Sequence, residues 1–140
     1  MPLTSMAMNR TPRHEYVGVV QVNIHPAAKW IWPEGEGWDL HNGYAQFRKC
    51  FPLASIPRRA PAWITADESY RLWVNGAPVC RGPARGFQDS WPCDHVDLAP
   101  FLRKGRNVIA VRAYNPGHGT FAYISCRAAG FLFSATWGKT

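Results

Sequence analysis

The sequence predicts an all-β domain, a two-sheet antiparallel β-sandwich or jelly roll. Three observations carry this. Short runs rich in β-branched and aromatic residues recur along the chain, roughly eight or nine of them, with little helical periodicity. Twelve glycines and twelve prolines are spread through 140 residues and cut the chain into short pieces. Asn75-Gly76 stands between two extended runs, Tyr70–Val74 and Ala77–Arg81. That dipeptide marks a tight hairpin, because a type I′ turn needs positive φ at both central residues.

Taken in order, residues 1–15 are polar and irregular and read as a flexible leader, with residues 16–140 as a single domain. Tyr16–Ile24 is expected as a strand: Val20, Val22 and Ile24 alternate with Gln21 and Asn23. Trp30 and Trp32 share one side of an extended segment. Glu34–Gly43 is a glycine-rich loop containing Trp38, long enough to join a binding surface. Tyr44–Pro52 and Ala62–Ala66 are strands, and the Asn-Gly hairpin follows. Gly82–Pro92 holds too many glycines and prolines for regular structure.

Asp94 begins a short strand, and Asp97 is placed to cap one helical turn before Leu102. After a turn at Lys104–Asn107, the apolar run Val108–Tyr114 reads as a central strand. Phe121–Arg127 and Phe131–Trp137 complete the set. Trp63 and Trp73 are expected in the core.

Composition bounds the function. Apolar content of 46% and seven tryptophans exclude a disordered chain. The net charge of +7 raises nucleic-acid binding. The basic residues are scattered, however, and that role requires Arg48, Lys49, Arg58, Arg59, Arg103, Lys104 and Arg106 to converge on one face. Nucleic acid is therefore not the expected partner. No apolar run is long enough to cross a membrane as a helix.

Cys50, Cys80, Cys93 and Cys126 form no Cys-x-x-Cys pair and have no zinc-like histidine spacing. They read as mostly buried free thiols, which with no secretory signal at the start suggests a cytoplasmic protein. No cofactor and no metal are expected. Asp67, Glu68, Asp94 and Asp97 lack the dense spacing calcium needs. Cys93 and His95, two apart on a strand, share a face but lack a third, orienting group for catalysis.

The order Ala66-Asp67-x-x-Tyr70-Arg71-Leu72-Trp73-Val74-Asn75-Gly76, then Arg81-Gly82-Pro83-Ala84-Arg85, then Asp94-x-x-Asp97-Leu98 and Gly105-x-Asn107-Val108-Ile109-Ala110-Val111, resembles a known domain. It is similar to the N-terminal β-sandwich of α-L-rhamnosidases, the family 78 glycoside hydrolases, of galactose-binding-like fold. The resemblance runs from Lys29 to about Trp137. One departure is Cys93, where the family usually has tyrosine.

In that family the catalytic carboxylates lie in a separate helical barrel, so the resemblance implies no catalytic residue here. It implies an accessory domain that braces the missing catalytic domain or contacts a rhamnose-containing glycan. The alternative is a free-standing lectin-like module. In either case the candidate carbohydrate- or domain-contact residues are Trp32, Trp38, Arg81, Arg85 and Trp91. The rings would stack on a sugar or a neighbouring domain, and the guanidinium groups would fork onto hydroxyls or carboxylates.

Overall fold

The computed structural model describes residues 28–34, 41–86, 91–119, 121 and 128–137. Among the described residues, seven strands and one 3₁₀ turn follow in chain order. They are β1 (Gly43–Leu53), β2 (Pro61–Asp67), β3 (Ser69–Val74), β4 (Ala77–Gly82), β5 (Asp94–Asp97), the 3₁₀ turn (Ala99–Phe101), β6 (Gly105–Asn115) and β7 (Gly130–Ala135). The strands form a four-stranded sheet in the order β1-β6-β3-β4 and a three-stranded sheet in the order β5-β2-β7. Every pairing between named strands is antiparallel. The all-β sandwich expected from the sequence is the observed architecture.

The period of two along each strand sorts side chains between the sheets and the outside. Tyr70, Leu72 and Val74 of β3, Ile109, Val111 and Ala113 of β6, and Ala62, Ile64 and Ala66 of β2 are all buried in one cluster with Phe131 of β7. Burying a side chain of the size of Leu72 or Ile64 contributes about 1.5–3 kcal/mol. This alternation corrects two expectations. Trp63 and Trp73 occupy the other phase and are half-buried. Trp63 stacks on His95 with ring centroids 4.4 Å apart.

The β3–β4 turn forms as predicted. Asn75 has φ 52° and Gly76 φ 84°, the left-handed region that asparagine tolerates and glycine favours. Asn75 also ties the turn to the start of β6. Its Nδ2 donates to the Phe101 carbonyl at 2.9 Å and to Asn107 Oδ1 at 2.8 Å, and its Oδ1 accepts the Val108 N–H at 2.9 Å.

Asp97 accepts the Ala99 N–H at 3.0 Å and the Ala60 N–H at 2.7 Å, but the N-cap residue of the 3₁₀ turn is Leu98, without a side-chain cap bond, so Asp97 stands one residue before the cap expected of it. The turn expected at Lys104–Asn107 is shorter, and β6 already begins at Gly105. Outside the described residues lie the leader 1–15, the strand expected at Tyr16–Ile24, Trp38, Cys126, and all of the Phe121–Arg127 strand except Phe121.

Candidate functional site

One end of the sandwich gathers the chain's loop residues. The chain passes from β2 to β3 through Glu68, whose N–H donates to the Tyr114 carbonyl at 3.1 Å. Beyond β4 the bend turns on Pro83, in a cis Gly82–Pro83 bond. A small pocket of about 20 Å³ lies between them, lined by Asp67, Glu68, Pro83, Ala84, Gly86 and Trp91, among others. Trp91 is held there by its indole N–H, which donates to the Ala66 carbonyl at 3.4 Å, and Thr65 Oγ1 donates to the Pro92 carbonyl at 2.7 Å. Trp30 meets Trp91 edge-on, ring centroids 5.7 Å apart. Gly130 makes room for it: a Cβ there would come within 2.8 Å of the Trp30 ring.

Electrostatically the pocket is acidic. Glu68 is buried, and its Oε1 has no hydrogen-bond partner among the described residues. Burial, and then the neighbouring Asp67 charge, push the Glu68 carboxyl up to about 7. Beneath it, the Tyr70 hydroxyl donates to the Asp94 carboxylate and sits 3.7 Å from Cys80 Sγ. Burial, followed by the Cys80 and Asp94 charges, drives the Tyr70 hydroxyl far above the ordinary tyrosine range. It stays neutral and serves as a fixed donor.

The candidate residues therefore separate. Trp91 and the exposed Arg85 lie at this end. Trp32 is half-buried, packed on the core and edge-on to Phe47 at 6.2 Å. The more exposed ring of that segment is Trp30, at 48%. Arg81 does not accompany Arg85. It lies on the outer face of the four-stranded sheet, directly opposite Arg71. Sequence reasoning overlooked Trp30 and Glu68 as site residues. The Trp30–Trp91 contact joins distant segments, but a Glu standing alone between two apolar strands was a visible cue.

Elsewhere, an apolar cavity of about 630 Å³ opens between the sheets, lined by Phe47, Phe51, Val111, Phe133 and Trp137, among others. Cys93 points its thiol to the Ile64 carbonyl at 3.6 Å while His95 stacks on Trp63, so the two are engaged apart. Of the thiols expected to be buried, Cys50 is exposed, and Cys80 and Cys93 are half-buried. Among the described residues no group of His, Cys, Asp and Glu is arranged to hold a metal ion. No helix among them is long and apolar enough to cross a membrane. Arg48 and Lys49 are consecutive on β1 and so project to opposite faces of the sheet, which keeps the seven basic residues named above from sharing one face.

Comparison with known proteins places this geometry. The sandwich superposes on the crystal structure of a family 78 rhamnosidase of Bacillus sp. GL1 with a TM-score of 0.71 and 36% identity, over 79% of this chain and 12% of that one. The chain matches a domain-sized portion of α-L-rhamnosidases. An α-L-rhamnosidase of Streptomyces avermitilis is 31% identical over 100 residues, 69% of this chain. The chain spans about one-tenth of that rhamnosidase's length. A lectin from Pleurotus ostreatus, in complex with GalNAc, shares the fold at a TM-score of 0.57 and 22% identity, over 92% of this chain and 34% of that one. No protein-family model matches the sequence.

Proposed function

We propose that the chain is a non-catalytic, N-terminal accessory domain of an α-L-rhamnosidase-like glycoside hydrolase. Its task is to brace the catalytic domain through the end built from Trp30, Trp91 and the Pro83–Gly86 bend. The observation that carries this reading is the match, at 36% identity, to only 12% of a family 78 rhamnosidase. The site supports it: a rigid bend and two perpendicular indoles, one of them half exposed, suit a fixed docking surface. The acidic residues support it too. Glycoside hydrolysis needs two carboxyl groups flanking an open substrate site, whereas Asp94 and Asp97 here are engaged by Tyr70 and by backbone N–H groups.

The purified chain is expected to leave an aryl α-L-rhamnoside unhydrolysed. Turnover above background that disappears on changing Glu68 or Asp67 to the amide would overturn the reading.

A second reading is favoured by the Trp30–Trp91 pair beside Glu68. An aromatic corner with a polar group at its edge is also how a sugar-binding module presents itself. A direct titration with L-rhamnose, comparing the intact chain with Trp91→Ala, separates the two. Saturable binding lost in the variant selects the lectin-like module.

A further inference from the structure

The outer face of the four-stranded sheet carries a row of arginines that neither the core nor the loop end uses. Register sets Arg81 opposite Arg71, Arg71 opposite Arg112, and Arg112 opposite Gln46. All four are exposed. Adjacent strands lie about 4.8 Å apart, so three guanidinium-bearing residues cross three strands within about 10 Å. Like charges directly opposite each other on a sheet cost stability. Among the described residues no carboxylate pairs with any of the three.

The same face is aromatic. Tyr44, 63% exposed, packs against Tyr114 with ring centroids 4.7 Å apart, and Arg112 lies over the Tyr44 ring at 5.9 Å. Trp73 and Arg48 point the same way. Three arginines and no lysine in the row favour a planar, forked acceptor such as a carboxylate.

We propose that this face binds an acidic polysaccharide, with sugar carboxylates forked onto the Arg81–Arg71–Arg112 row and the chain passing beside the exposed Tyr44. Charge complementarity demands an anion, and the 63% exposed Tyr44 beside the row offers a sugar an apolar edge with a hydroxyl. The choice of a glycan over other polyanions rests on the accessory-domain reading above. The face adjoins the docking end through Tyr114 and Arg81, so the two readings are told apart by the measurement and not by position.

The test is calorimetric titration of the full chain with a galacturonate hexamer at low salt, with maltohexaose as the neutral control and a single-stranded oligothymidylate as the alternative polyanion. The hexamer is expected to bind saturably, to weaken as salt rises, and to bind at least about tenfold more weakly to Arg71→Gln/Arg112→Gln. Arg58→Gln/Arg59→Gln, on the β1–β2 link, is expected to leave binding unchanged. Arg81→Gln alone, with one row member removed from an exposed position, is expected to weaken binding without lowering the melting temperature.

The proposal is overturned if the hexamer binds no better than maltohexaose, or if both double variants lose binding equally. It is equally overturned if the oligothymidylate outcompetes the hexamer for the same arginines, which would make the face a nucleic-acid surface. A sharp fall in melting temperature for Arg81→Gln would make the row structural. Docking to a catalytic domain, measured without any glycan, reports on the accessory-domain reading alone.

Discussion

Gly82 and the Asp94 carboxylate pack so closely that a Cβ on Gly82 would run into the carboxylate and come within 3.0 Å of the Tyr70 hydroxyl. Glycine is required there because β4 must pass over the Tyr70–Asp94 hydrogen bond, not because its backbone is left-handed. Gly82→Ala is therefore expected to destabilise the fold by about 1–3 kcal/mol, the usual cost of overpacking a rigid site. Tyr70→Phe, which leaves the packing intact and removes the hydroxyl donor, is expected to cost about 1–3 kcal/mol as well. Urea unfolding of both variants measures this. A Gly82→Ala protein as stable as the parent would show that the carboxylate can move aside.

Asn107 is fully buried, and its side-chain amide is used at both ends. Nδ2 donates to the Arg103 and Gly105 carbonyls at 2.7 and 2.9 Å, and Oδ1 accepts from Arg103 N and Asn75 Nδ2 at 2.9 and 2.8 Å. Asn107→Ala is expected to cost about 3 kcal/mol or more, since buried donors and acceptors lose partners together. Asn107→Asp, which sets a buried carboxylate oxygen against the Arg103 and Gly105 carbonyls, is expected to cost at least as much at neutral pH. Equal stability of all three proteins in urea would contradict the network.

Glu68 gives stability a pH dependence of defined sign. Its carboxyl takes a proton at about 7 in the fold, against 4.5 ordinarily. Between those values the folded protein holds a proton that the unfolded chain has released, so stability falls as pH rises through the window and levels off above it. Glu68→Gln removes this dependence. The variant is expected to gain about 1 kcal/mol over the parent at pH 8, a figure reduced for solvent screening, and little at pH 4. Parallel stability profiles for the two proteins would show that Glu68 titrates normally.

The three described thiols should differ in reactivity. Cys50 is exposed on the outer sheet face, and a contact from Arg106 Nη2 at 3.9 Å, helped by the Arg48 charge, lowers its thiol below the usual range. Burial raises Cys80 to about 11, and burial with the Asp94 charge raises Cys93 to about 12. Iodoacetamide at neutral pH is expected to label Cys50 first, by at least about tenfold, because the thiolate is the reacting form. Faster labelling of Cys80 or Cys93 would contradict the assigned burial.

How much of this was legible in the sequence follows from how local each feature is. The Asn75-Gly76 hairpin was legible because positive φ is a property of those two residues. That Asp97 would take a backbone N–H at the 3₁₀ turn was legible because the two lie two residues apart, although the cap position itself falls to Leu98. Trp73 was misplaced because size outweighed phase: Tyr70, Leu72 and Val74 claim the inner positions, leaving Trp73 with Arg71 outside. The Arg81–Arg71–Arg112 row could not be read at all. It depends on the register of three strands, and on a bulge between Leu72 and Trp73 that shifts β4. The Trp30–Trp91 corner likewise needs the Ile31–Phe131 bridge, which carries Trp30 along the edge of β7.

The most direct test of the central claim is a binding titration between this chain and the Bacillus sp. GL1 rhamnosidase from which the matching sandwich domain has been removed. The account predicts a saturable complex, weakened at least about tenfold by Ala84→Arg at the bend, with rhamnoside hydrolysis by the truncated enzyme raised when the chain is added. A folded chain that neither binds the truncated enzyme nor changes its activity would contradict an accessory role.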